Sequence, residues 1–151
     1  MIQRVQTIYL LLAFAACVFC MCSPVGHFAI AEGMDGSADL YNLWVRFSDG
    51  SVSMSVWGLF AILLVTAFFS FLGIFQYKRR MMQMRICTLC ILLLTGWYIT
   101  YAVFALVAVN DSTFRVDWHA SLPMIAIILL FLAFRGIRKD EKLVRSLDRL
   151  R

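Results

Sequence analysis

Ionisable residues are missing from the longest stretches of this chain. Charged residues make up only 15% of the sequence, and they gather between apolar runs rather than within them. Asp, Glu, Lys and Arg inside a membrane span are costly unless they serve a pathway, so their absence from the interiors of the runs argues against a proton-coupled transporter or an ion pump. Histidine is equally thin, with His27 and His119 alone. These two could meet with Asp117 or Glu32 around a metal, but metal sites need three or four ligands at recognisable spacings, so neither a metal site nor a cofactor is expected. No glycine loop able to cradle a phosphate and no Ser-His-Asp spacing is present, and "GMDG" reads as a turn. An enzyme is therefore not expected.

What is abundant is apolar sequence, at 62% of residues, with a mean hydropathy of +0.83. Ordinary globular domains run at roughly 45–50% apolar, and a soluble core cannot hide the excess. Four runs, 5–22, 57–75, 86–109 and 118–134, are at or near the roughly 17–25 helical residues needed to cross a hydrocarbon core. The fourth is the shortest in firmly helical sequence, because Pro123 suits only a first helical turn and places the helix start near Leu122. The first run is expected to stay as an uncleaved helix. A signal-peptide reading lacks a small-residue cleavage motif, and a lipoprotein reading at Cys17 has Phe14 as a poor fit.

Basic residues give the expected orientation. Twelve of the 14 lie at Arg4, in the 76–85 turn and in the 135–151 tail, and only Arg46 and Arg115 fall in the other two loops. Positive residues are retained in the cytoplasm, so both termini are placed there, with Lys78, Arg79, Arg80, Arg135, Arg138 and Lys139 as topology anchors. The basic balance is thereby a membrane-topology signal, and no nucleic-acid partner is expected.

The outer loops, 23–56 and 110–117, carry a period of two. Tyr41, Leu43, Val45 and Phe47 fall on one face of "YNLWVRF", Val52, Met54 and Val56 alternate with serines, and "SDGS" between them supplies a tight turn. "HFAIAE" with "GMDG", and "TFRVDWH" with Phe114, Val116 and Trp118 on one face, offer further strands. The fold class expected is an all-α membrane bundle of four transmembrane helices, capped on the outer side by a small antiparallel sheet of three or four strands. At the level of architecture this resembles the claudin-like arrangement. The claudin loop signature of a tryptophan with a cysteine pair is absent, because the outer loops hold no cysteine, so no claudin function carries over.

Cys87 and Cys90 form "CTLC" at the start of the third run, with Arg85 nearby, while Cys20 and Cys22 lie near the outer end of the first. The pair is similar to the C-x-x-C of quinone-linked thiol oxidoreductases, which need an accessible low-pKa sulfur and a resolving neighbour. Cysteine is also a common small residue of packed interiors, and packing is the expected role. Gln76, Thr66, Ser70, Thr88, Thr95 and Thr100 are read as helix–helix contacts, and the pairs Ala13/Cys17, Ala16/Cys20 and Gly96/Thr100 as points of close helix approach.

The tail, "RGIRKDEKLVRSLDRLR", reads as an amphipathic cytoplasmic helix with Leu143, Leu147 and Leu150 on one stripe and Val144 beside them. That stripe is the candidate docking surface for a membrane surface or partner. Together with "MIQRVQTIYLLLA" at the start and a short span entered through "LP", the tail resembles a Bacteroidetes family of small four-helix integral membrane proteins catalogued as a domain of unknown function. The resemblance implies four membrane helices in an inner membrane and brings no catalytic residues. The function expected is a non-enzymatic accessory or scaffold that contacts the lipid bilayer and either another membrane protein or its own copies. A thiol oxidoreductase using Cys87 and Cys90 and a small-molecule or lipid carrier are the alternatives.

Overall fold

The computed structural model of the protein describes residues 2–30, 37–76, 79–109 and 112–148. Four helices, α1 (Ile2–Cys22), α2 (Trp57–Phe75), α3 (Arg80–Val109) and α4 (Leu122–Asp148), are each long and apolar enough to cross a membrane. α1 packs on α2 and α4, and α3 packs on the same two, closing a four-helix ring.

The buried positions explain why the ring closes. They fall at Gln6, Leu10, Ala13, Cys17 and Cys20 on α1, at Leu59, Leu63, Thr66, Ser70 and Gly73 on α2 with Ala67 beside Thr66, and at Gln83, Cys87, Cys90, Leu94, Trp97 and Tyr101 on α3. On α4 they are Pro123, Ala126, Leu130, Ala133, Ile137 and Asp140. Steps of four and three alternate on every helix. This is the 3.5-residue repeat that suits near-aligned, left-handed packing of helices. Residues outside the repeat, such as Leu92, Ile99, Leu106 and Phe68, are exposed and apolar, as a lipid-facing surface requires.

Five strands cap one end. β1 (Pro24–Ile30), β2 (Ser37–Tyr41), β3 (Val45–Phe47), β4 (Val52–Ser53) and β5 (Ser112–Val116) form an antiparallel sheet in the order β4-β3-β2-β1-β5. β5 adds to the free edge of β1, so both loops build one sheet. Gly26 is required where β1 and β5 pair, because a Cβ there would lie 2.6 Å from the Phe114 ring. Gly50, at φ 84°, turns the chain between β3 and β4, as the Asp-Gly pair led us to expect.

Several strand expectations need correction. "YNLWVRF" is not one strand: β2 ends at Tyr41, whose N–H bonds the Trp44 carbonyl at 2.9 Å, and the intervening turn buries Asn42 completely. Alternation in "TFRVDWH" also stops early. The Asp117 carboxylate accepts the Trp118 N–H at 2.6 Å and caps a short 3-10 turn, Trp118–Ser121, which leads into α4. "GMDG" and Lys78 lie outside the described residues. From Leu122 to Asp148 the fourth run and the described part of the tail form a single helix, since no residue between Phe134 and Asp148 breaks α4.

Candidate functional site

The end of the bundle opposite the sheet collects the basic residues. Arg79, Arg135, Arg138 and Lys139 are exposed there, and Arg80 is half-buried. Arg80 donates to the Asp140 backbone carbonyl at 3.4 Å, tying the start of α3 to α4. Beneath this surface a polar layer closes the core. Gln6 Nε2 donates to Asp140 Oδ2 at 2.6 Å, and Gln83 Nε2 donates to the Gly73 carbonyl at 3.1 Å, where α2 approaches its end. Asp140 sits in what the sequence alone marks as a solvated tail. The heptad running Ala126, Leu130, Ala133, Ile137, Asp140 was the signal that could have placed it in the core.

One helical turn further, Leu143 and Val144 are 49% and 40% exposed. α4 therefore carries apolar side chains past the last buried layer. Leu147 lies within α4, and Leu150 lies outside the described residues.

Cys87 and Cys90 occupy core positions with no exposed surface. Ser70 donates to Cys90 Sγ at 3.7 Å, and that thiol faces the Thr66 carbonyl at 3.8 Å. Cys17 and Cys20 are buried, Cys22 is exposed, and all five thiols are free. Ser70 thus makes a contact between helices, as anticipated. Thr88 and Thr95 do not: both are exposed, and their hydroxyls bond carbonyls of their own helix four residues back, at Met84 and Ile91. The Gly96/Thr100 pair is also unused inside the bundle, since a Cβ at Gly96 would meet nothing within 4 Å.

At the sheet end the chemistry is denser. Asn42 plugs the bundle: its Nδ2 donates to the Cys20 carbonyl at 2.6 Å, its Oδ1 accepts from Trp97 Nε1 at 3.1 Å, and its carbonyl accepts the Phe60 N–H at 3.1 Å. Three helices are fastened by one residue. Tyr101, stacked on Trp97 with centroids 5.1 Å apart, donates to the Val25 carbonyl at 2.7 Å, and Tyr98 donates to the Ala120 carbonyl at 2.8 Å.

Above this plug the two histidines do come together. Register between β1 and β5 sets His27 opposite Arg115, and the turn after β5 brings Asp117 and His119 alongside. His27 Nδ1 lies 2.7 Å from Asp39, His27 Nε2 lies 3.5 Å from Asp117, and His119 Nδ1 lies 3.1 Å from Asp117. Asp39 takes the place imagined for Glu32, which lies outside the described residues. Partial burial pushes the Asp117 carboxyl up, but donation from His119 and the Trp118 N–H, with the charge of both imidazoles, outweighs this and holds it below the usual carboxylate range. The four groups form a chain of alternating acid and imidazole. Among the described residues no three His, Cys, Asp or Glu side chains are arranged to hold a metal ion.

A match over residues 2–150 decides the family. The chain belongs to DUF4293, a domain of unknown function. The DUF4293 match spans all four helices and the sheet, so bundle and cap are parts of one family unit. No curated protein matches the chain.

Proposed function

We propose that this DUF4293 protein is a non-enzymatic accessory or scaffold protein of a bacterial inner membrane, with both termini cytoplasmic, the sheet on the outer side and the basic end docking another membrane assembly. The architecture is read as claudin-like, with the end of α4 as an amphipathic cytoplasmic helix. One observation carries the docking: α4 runs unbroken from buried Ile137 and Asp140 to exposed Leu143 and Val144, so a rigid helix projects apolar side chains among cations. Orientation rests on the retention of basic segments in the cytoplasm. The buried positions of Cys87 and Cys90 favour packing over thiol exchange, which needs an accessible thiolate. The test is limited proteolysis of inverted vesicles. Changing Leu143, Val144 and Leu147 to serine is expected to leave insertion intact and to speed cleavage after α4 by at least about tenfold, because each apolar side chain buried on docking contributes roughly 1.5–3 kcal/mol. A wild-type tail cut as fast as the variant's would refute docking.

A further inference from the structure

Among the grooves on the sides of the bundle, three differ in the charge of their linings. The sheet-end groove between α3 and α4, about 910 Å³, is walled by Thr95, Tyr98, Trp118 and Met124 and has no basic residue. The groove between α1 and α2, about 530 Å³, is apolar throughout, with Phe14, Val18, Leu64 and Phe68. The third, about 660 Å³, lies between α3 and α4 at the basic end and is two-toned. Leu89, Leu92 and Phe134 line the part farther from the basic end of the bundle, and Arg85, Arg138 and Lys142 line the part nearer that end, its mouth, with one carboxylate, Glu141. Along each helix the cation lies about 6 Å nearer the end than the apolar residue four positions away, Arg85 against Leu89 and Arg138 against Phe134.

We propose that this groove binds one anionic phospholipid, its phosphate held by Arg85, Arg138 and Lys142 and an acyl chain laid along Leu89, Leu92 and Phe134. Charge complementarity selects the occupant: three cations against one carboxylate leave the mouth positive. Two of the three are arginines, whose planar forks match phosphate oxygens in pairs. Basic pockets between membrane helices at an interface take anionic headgroups for this reason. The wall beyond suits a hydrocarbon chain and would be poorly matched to a free anion. The site requires the basic end to lie at a membrane interface, but not that this interface be cytoplasmic.

The experiment uses the full chain in mild detergent with phosphatidylglycerol or phosphatidylcholine of identical chains, and native mass spectrometry reads the retained lipid. Wild type is expected to retain phosphatidylglycerol preferentially. Arg85→Gln with Arg138→Gln should lower that retention about tenfold, while Arg135→Gln with Lys139→Gln, which removes the same charge from exposed positions outside the groove, should change it less than twofold. Thr88→Trp, which fills the groove and leaves every charge, should also lower retention. Equal loss from both double variants, or unchanged retention with Thr88→Trp, would overturn the site. Displacement by water-soluble glycerol phosphate would overturn it too, by showing an anion site indifferent to the chain. Detergent removes sidedness and partners, so failure here leaves the proposed orientation and docking standing.

Discussion

The two ends of the bundle are closed by different means. At the sheet end a loop residue, Asn42, enters from outside the helices and is satisfied by backbone groups of α1 and α2 and by Trp97 of α3. At the basic end the helices close themselves, through the side-chain pair Gln6–Asp140 and the bonds from Gln83 to the Gly73 carbonyl and from Arg80 to the Asp140 carbonyl. A plug bonded to the fixed Cys20 carbonyl and the Phe60 N–H cannot easily rearrange. A pair between two flexible side chains can, and α4 passes straight through it into the exposed segment. The sheet end is thus built for rigidity, and the basic end joins the core to a surface able to meet lipid or a partner.

This contrast predicts unequal sensitivity. Asn42→Ala strands the buried Trp97 indole N–H and takes one of two donors from the Cys20 carbonyl, which keeps the Ser23 N–H at 3.3 Å, and a buried polar group left unpaired costs about 1–3 kcal/mol, to which the lost packing of the plug adds. A loss of about 3 kcal/mol is expected, read as a large drop in the thermal midpoint in detergent. A drop no larger than that of an exposed substitution such as Ser48→Ala would show that the plug is not structural.

A smaller effect is expected at the other end. Gln6→Leu or Asp140→Leu alone should cost about 1–2 kcal/mol by stranding the partner, while making both substitutions together should recover most of it. Non-additivity in this double-mutant cycle is the measurement. Simple additivity would mean that the 2.6 Å bond contributes little.

The smallest effect is the pH dependence of the sheet surface. Asp117 has a folded pKa below its unfolded value, so its contribution is present above about pH 4 and is lost as pH falls through the lower folded value. Asp117→Asn, which can still cap Trp118, should therefore flatten the acid limb of sheet-end stability, as followed by amide exchange in β1 and β5. An acid limb unchanged by the substitution would remove Asp117 from the account.

Much of the bundle was legible because its signal is local. α2 spans the uninterrupted apolar run Trp57–Phe75, whose ends are marked by a serine-rich turn and a basic one. α4 was harder to read. Arg135 marks where the apolar run stops, and composition alone treats that as the end of an element, whereas the backbone continues and the heptad carries Ile137 and Asp140 into the core. Asn42 was not legible at all. Within "YNLWVRF" it occupies the polar phase of an alternating strand, and only the tertiary arrangement of Cys20, Phe60 and Trp97 gives its amide partners. The histidines lay between these cases: their loops were known, but the register of β1 on β5 was needed to bring His27 to Asp117 and His119.

The proposed placement of the sheet end outside and of the basic end in the cytoplasm stands or falls on orientation. Single cysteines at Ser37 and at Lys139, both exposed, in a background with the five native cysteines replaced, report it directly. In intact cells an impermeant thiol reagent is predicted to label the Ser37 position and to spare the Lys139 position until the membrane is broken. Labelling at Lys139 with protection at Ser37 would contradict the account.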